Sequence, residues 1–363
     1  MTDEAMVYLQ DAVASNWIAP VGPHIEAFEK ELASVLKAGQ VLTTNSGTAA
    51  IHLGLLALGV GKGDEVLCST FTFCASVNPV VYCGADPVFI DSERQTWNMD
   101  PVLLEEAIVD RIKKTGKKPR AIIVVHLFGM PAQMNALMDI SRRYEIPILE
   151  DAAEALGSLY DGKAVGTLGA AGIFSFNGNK IITTSGGGAL VSADAPLIER
   201  ARYLRQEARE PLPYYEHKEV GYNYRMSNLL AAIGRSQLKV LAERVKRRRE
   251  IHGFYVQRLK EIISLSFQPE MNGMQSNRWL SCILTADAKI RPENIRLALD
   301  KEDIESRLLW KPMHLQPVFR GYPAYVNGVS ERLFKDGLCL PSGSGLLPSD
   351  LERIVGVVKR IFN

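Results

Sequence analysis

Cysteine and histidine are scarce in this chain, and neither is grouped as a functional cluster would require. The five cysteines, at 68, 74, 83, 282 and 339, are odd in number and form no CxxC pair. Most sit in apolar runs such as "EVLCST" and "GLCLPS". That placement predicts small buried hydrophobes in a reducing compartment rather than a disulfide framework. The six histidines are scattered without an HxxxH pair, so no metal site is expected. A GxSxG elbow is missing, which disfavours a Ser-His-Asp hydrolase. No apolar run approaches the roughly 20 residues of a membrane-spanning helix; the longest, such as "AIIVVHLFGM", fall far short. Net charge is +1, so no overall field favours nucleic acid or an anionic membrane. The beginning, "MTDEAMVYLQ", is acidic and lacks a basic segment ahead of an apolar core. A signal peptide is therefore not expected, and the reading is a cytoplasmic protein. Internal repeats and low-complexity linkers are also missing.

What is present is an ordinary globular mixture, 47% hydrophobic and 23% charged over 363 residues. That length accommodates a large domain and a smaller one. Six short runs read as strands: "EVLCS" (65–69), "PVFID" (87–91), "AIIVVH" (121–126), "IPILED" (146–151), "GIFSF" (172–176) and "GALVS" (188–192). Several are apolar without alternation, as in a sheet covered on both faces. Helical segments at 48–58, 102–114 and 132–144 separate many of them, which predicts an α/β protein with a mainly parallel central sheet. After residue 225, apolar residues at 230, 233, 238, 241 and 245 form a helical stripe. Its length suggests one helix running from a large domain (1–244) into a smaller C-terminal α/β domain (245–363). "KRRR" at 246–249 reads as a solvated helix face or a subunit contact, given the near-neutral whole.

The stretch "AAGIFSFNGNKIITTSGGGALVS" (170–192) places one cation, Lys180, between two apolar strands. A lysine there can simply snorkel to solvent. Three other features argue for chemistry. "TTNSGTAAIHLGLLAL" leads a strand-like segment into an apolar helix through Ser46, Gly47 and Thr48. Free first-turn amides, a close-approach glycine and a hydroxyl make a phosphate site, although a serine there is also an ordinary N-cap. "IPILED" ends a strand in Glu150 and Asp151, where α/β proteins bind ligands. A carboxylate there either caps the next helix or pairs with a cationic ring nitrogen. In "STFTFCASVN", Phe71 or Phe73 either packs in the core or lies flat on an aromatic ligand. A phosphate cradle, an aromatic face, a carboxylate and a lysine are together what pyridoxal phosphate needs. Its aldehyde takes up a lysine amine, and its pyridinium needs an acid partner. Polar, uncharged neighbours suit a lysine that must be free of its proton to attack.

Nearly the whole chain resembles the DegT/DnrJ/EryC1/StrS family of fold-type I pyridoxal-phosphate aminotransferases, which aminate keto sugars on nucleotides. The motifs that carry this are "NSGTAA", "EDAAEALGS", "SFNGNKIITTSGGG", "GYNYRMSN", "PMHLQPVF" and "LCLPSG". "NWIAPVGPH", "YDGKAVGTLG" and "SFNGNKIITTSGGGALVS" look closest to the subgroup acting on UDP-linked 4-keto-6-deoxy-N-acetylhexosamines. The resemblance implies Lys180 as the Schiff-base lysine, Asp151 as partner of the ring nitrogen and Phe73 as the ring stacked on the cofactor. It implies Gly47, Thr48 and Ser175 at the phosphate, and Asn223 reaching the phosphate of a neighbouring subunit in an obligatory homodimer with shared active sites. Glu154 falls where many members carry Gln or His near the ring oxygen; its acidity departs from that pattern but fits the closer subgroup. Trp17 and His314 fall where the family contacts its sugar nucleotide; an aromatic core residue and a loop histidine are their ordinary alternatives. The implied reaction moves an amine from an amino acid, glutamate by preference, to a keto sugar by a ping-pong cycle. Other readings are another nucleotide-linked keto sugar (dTDP-linked, 3- or 4-keto) and a non-catalytic cofactor-binding or regulatory protein. Sugar dehydratases of the same fold carry histidine at the lysine position, which Lys180 argues against.

Overall fold

The computed structural model describes residues 2–287 and 289–362. An eight-stranded sheet forms its centre. Its spatial order is Gln40–Thr44, Gly188–Ser192, Ala171–Ser175, Ile148–Asp151, Ala121–Val125, Glu65–Ser69, Asp86–Ile90 and Ala324–Tyr325. The pairings are parallel except the two made by Gly188–Ser192, which runs antiparallel to both neighbours. All six strands read from the sequence are present. Their alternation shows why several of the runs are apolar without a break. Leu67, Val88, Ile122 and Val124 enter one core, and Val66, Cys68, Phe89 and Ile123 enter the core on the other face. Successive side chains leave a strand on opposite sides. A strand covered on both sides therefore has no polar face to alternate with.

Helix Gly47–Ala57 is buried around most of its circumference, with Ala50, Leu53 and Leu55 fully enclosed. Pro101–Thr115 and Met134–Tyr144 cover the opposite face through Leu104, Ile108, Leu137 and Ile140. Asp100 caps the first of these by accepting from the Val102 N–H, and Pro101 occupies the first helical position, where its missing N–H costs nothing.

A second, antiparallel sheet of Leu265–Phe267, Ser281–Thr285, Gly337–Leu340 and Arg307–Leu308 forms the smaller α/β layer. Helices Pro292–Asp300 and Pro348–Phe362 close its core through Ile295, Leu299, Leu351 and Val358. The single helix expected after residue 225 is two, Asn228–Lys239 and Leu241–Leu259, which meet at Val240 with φ −103° and ψ 9°. The first packs on Asp3–Ala14 and Pro23–Leu36. The second carries Leu241 into the large core and Ile251, Tyr255 and Leu259 into the small one. We place the domain boundary of 1–244 and 245–363 within this helix as a proposal.

The chain also makes a return that the sequence did not announce. Met313 and Phe319 enter the large core, and Ala324–Tyr325 pairs in parallel with Phe89–Ile90. Asp91, fully buried, accepts from the backbone N–H of Asn327, Gly328 and Ser330 as the chain leaves again.

The solvated-face reading of the "KRRR" run is corrected by the structure. Arg248 is buried and donates to the Trp279 carbonyl, Arg247 donates to the Leu346 carbonyl at 2.6 Å, and Arg249 pairs with Glu270 at 2.7 Å. Of the four, Lys246 alone is exposed. Carbonyls of irregular segments, which have no ladder partner, need donors, and arginine reaches them while keeping its charge. All five cysteines are free, with Cys68, Cys282 and Cys339 buried. Among the described residues, no helix is long and apolar enough to cross a membrane, and no group of three or more His, Cys, Asp or Glu is placed to hold a metal ion.

Candidate active site

A cavity of about 1110 Å³ lies at the carboxyl ends of the parallel strands, between the two layers. Strand periodicity decides which acid of "ED" faces it. Glu150 points away and is fully buried, accepting from the Gly166, Leu168 and Gly169 N–H groups at 2.8, 2.6 and 2.6 Å. His126 Nδ1 accepts from the Ala132 N–H at 3.1 Å, so its Nε2 carries the hydrogen and donates to Glu150 at 2.8 Å. Asp151 faces the cavity. Its Oδ1 accepts from the Ala153 N–H at 3.1 Å and its Oδ2 from the Ser76 hydroxyl at 2.6 Å. Because Ser76 spends its hydrogen on Asp151, Thr72 is the donor in the 2.6 Å contact between the two hydroxyls.

Lys180 lies in the loop joining strands Ala171–Ser175 and Gly188–Ser192, which pair antiparallel. Turn bonds hold that loop: Lys180 N–H to the Asn177 carbonyl at 3.0 Å and Thr184 N–H to the Phe176 carbonyl at 2.9 Å. Nζ is 3.6 Å from Glu154 Oε1 and 4.3 Å from the centroid of the Trp279 ring. A desolvated ammonium over an indole gains about 0.5–2 kcal/mol. The Trp279 indole N–H also donates to the Asn179 carbonyl at 2.8 Å, so the small layer grips the lysine loop directly. Glu154 is buried, and Oε2 accepts from the Phe128 N–H at 2.7 Å. Its carboxyl is pushed up to about 7, chiefly by burial, with Lys180 and the Phe128 N–H pulling against the rise and Asp151 adding to it.

The helix beginning at Gly47 opens into the same cavity. Ser46 caps it, accepting from the Ala49 N–H at 3.1 Å. The N-cap alternative for this serine is thus correct, and it leaves the Gly47 and Thr48 amides without helical partners. Two glycines make the corner possible. A Cβ on Gly47 would stand 3.0 Å from the Ser175 Cβ, and one on Gly188 would stand 2.6 Å from the Gly47 nitrogen. The strand end, the helix start and Ser175 therefore approach more closely than side chains would allow.

Gly47, Thr48, Phe73, Asp151, Glu154, Ser175 and Lys180 all line this one cavity. Of the two phenylalanines, Phe71 is the core residue, against Phe128, and Phe73 is 55% exposed, beside Trp310. Three predicted residues stand outside it. Trp17 is exposed and offers its carbonyl to Asn228 Nδ2 at 2.9 Å. His314 is held by Thr70 at 2.7 Å and Glu331 at 3.3 Å. Asn223 is exposed, with its carbonyl accepting from Asn45 Nδ2 at 3.2 Å. Sequence reasoning missed Ser76, Trp279 and Trp310. "ASVNP" carries a serine with no spacing cue, and both tryptophans come from the second layer, whose distance to Lys180 no periodicity reports.

An amine, a doubly supported carboxylate, an aromatic face and a helix start stripped of side chains are the donor set for pyridoxal phosphate, and the residues fit it. The fold and this pocket define a pyridoxal-phosphate-dependent sugar aminotransferase. The family model described as the DegT/DnrJ/EryC1/StrS aminotransferase family matches residues 1–359, and the chain belongs to that family. It is 47% identical to EpsN of Bacillus subtilis (strain 168), covering 100% of this chain and 94% of EpsN. It is 36% identical to the GDP-perosamine synthase of Caulobacter vibrioides over 98% of this chain and 94% of that protein. A crystal structure of a DegT DnrJ EryC1 StrS aminotransferase from Brucella abortus superposes with a TM-score of 0.93 at 30% identity, covering 99% of this chain and 96% of that one.

Ser76→Ala should leave Asp151 with one donor. A hydrogen bond to a charged group contributes about 1.5–3 kcal/mol, so cofactor affinity is expected to drop roughly tenfold or more. Titration of the cofactor-stripped chain, followed by absorbance, measures this; an unchanged affinity would remove Ser76 from the site.

Proposed function

We propose that the chain transfers the amino group of an amino acid, L-glutamate, to the 4-keto carbon of a UDP-linked 4-keto-6-deoxy-N-acetylhexosamine. The observation that carries this reading is the convergence of Lys180, Asp151 and the Gly47 helix start on one cavity. Pyridoxal phosphate, when bound, supplies an electron sink for the carbon that gives up its proton and a carrier for the amino group. The residues do the rest. Lys180 Nζ anchors the cofactor, then takes the proton from the donor's α-carbon and returns it on the cofactor side as general base and acid. Asp151 holds the proton on the ring nitrogen, and Ser76 and the Ala153 N–H keep that carboxylate in place. The Gly47 and Thr48 amides, with the Ser175 hydroxyl, receive the phosphate. Phe73 covers a ring face, and Glu154 meets the ring-oxygen side. Trp17 and His314 serve the sugar nucleotide from outside the cavity rim, and Asn223 serves the site of a second copy in a cytoplasmic homodimer.

The UDP-linked hexosamine rests on the "NWIAPVGPH" and "YDGKAVGTLG" wording. One observation favours a second reading, a GDP-linked 4-keto sugar: the similarity to GDP-perosamine synthases of Caulobacter vibrioides and Vibrio cholerae, both at 36% identity. A panel of UDP-, GDP- and dTDP-linked keto sugars offered to the glutamate-treated enzyme separates them. Recovery of the cofactor absorbance with the UDP sugar alone is expected. Recovery with GDP sugars alone would move the assignment to the second reading, and recovery with none would end both.

A further inference from the structure

Lys180 must shed a proton before its amine can react, and of the carboxylates lining the cavity Glu154 is the one that pairs with its Nζ. Asp151 already accepts from Ser76 and from the Ala153 N–H and is assigned above to the ring nitrogen. Glu154 has only Oε2 committed, to the Phe128 N–H, and Oε1 faces Nζ at 3.6 Å. We propose that Glu154 is the proton acceptor for Lys180, a catalytic role distinct from contact with the cofactor ring. It rests on the reading of Lys180 given above. In the step, an N–H bond of the ammonium breaks and an O–H bond forms on Oε1. The bonding pair stays on Nζ as the lone pair, so an ion pair becomes a neutral amine and a neutral acid, and nothing is oxidised or reduced.

The surroundings set the direction. The side chains of Lys180 and Glu154 are 12% and 5% exposed. Two opposite charges taken from water pay a desolvation cost that the neutral pair avoids. The Trp279 face favours the ammonium and the Phe128 N–H favours the carboxylate, whereas burial, the largest influence on Glu154, favours the neutral acid. The other titratable groups facing Glu154 are Asp151 from the adjoining strand end and Cys282 from the small sheet. The first disfavours a carboxylate at 154, and the second is a neutral thiol whose own ionisation is held off by burial. Both leave Glu154 ready to take a proton near neutral pH.

The test reads the amine directly, by acetylation of Lys180 with acetic anhydride in the full-length, cofactor-stripped chain, quantified by peptide mass spectrometry across pH. The reagent has no titrating group. Below about pH 7 a proton must leave the pair to give amine beside acid, so labelling should rise about tenfold per pH unit. Above that point the single remaining proton only moves within the pair, and the wild-type profile should flatten. In Glu154→Gln, which is isosteric and still accepts from the Phe128 N–H, the proton can leave only to water. Its profile should rise through pH 7 without a bend, so the ratio of wild type to variant falls about tenfold per unit above it. A wild-type profile with no bend, or a ratio constant across pH 7, would overturn the proposal; the first needs no folded variant. Labelling does not depend on Lys180 anchoring a cofactor, so its failure is separable from failure of the site assignment, which turnover of a Lys180 variant decides.

Discussion

Lys180→Ala is expected to lower transamination by at least about a thousandfold and to abolish the covalent attachment of the cofactor. General acid–base catalysis by one placed side chain contributes roughly 10²–10⁴ in rate, and Lys180 is assigned both the anchor and the proton shuttle. The substitution is sterically mild. The side chain projects from a loop whose backbone bonds do not involve it, and truncation removes its contacts with Glu154 and the Trp279 ring. The variant should therefore remain folded and still accommodate the phosphate at Gly47 and Thr48. Borohydride reduction followed by peptide mapping gives the covalent readout, and glutamate turnover gives the kinetic one. A variant that keeps wild-type turnover would remove Lys180 from the mechanism, and with it the reading of the cavity.

Asp151→Asn is expected to cost about a hundredfold or more in kcat, on the scale of a single preorganised electrostatic contact in a water-poor site. Asparagine preserves shape but cannot hold a positive charge on the ring nitrogen. Ser76 can turn its hydroxyl to accept from the new amide, so that bond survives with reversed polarity while the Ala153 N–H still donates to the amide oxygen. The loss should therefore fall on the rate, and thermal stability should change little. Single-turnover decay of the cofactor absorbance with glutamate separates the two. If kcat is unchanged, the carboxylate at 151 plays no part in charge stabilisation.

How much of this was legible follows from which physical signals are local. Several of the six strands read from the sequence carry unbroken apolar runs because both faces are covered, and that signature survives in the sequence. Lys180, Asp151 and the Gly47 corner announced themselves through residue types that ordinary strands and helix starts do not demand. Trp279 did not, because a buried tryptophan ahead of a strand looks the same whether it faces a core or a lysine. Ala324–Tyr325 was invisible because a two-residue strand preceded by Pro323 carries no period. The arginines at 247–249 were misread because charge in a sequence suggests solvent. The carbonyls they serve come from Leu346, Ser276 and Trp279, far along the chain.

The return of the chain to the edge of the large sheet has a mechanical consequence. The two lobes are joined three times: through helix Leu241–Leu259, ahead of Met313, and again after Tyr325, where buried Asp91 clasps the departing backbone. A lobe strung on one linker is restrained at a single crossing, whereas three separate crossings limit how far the smaller layer can shift from the cavity it helps to line. Trp279, which reaches the lysine loop from that smaller layer, is therefore held in place by more than its own hydrogen bond to the Asn179 carbonyl.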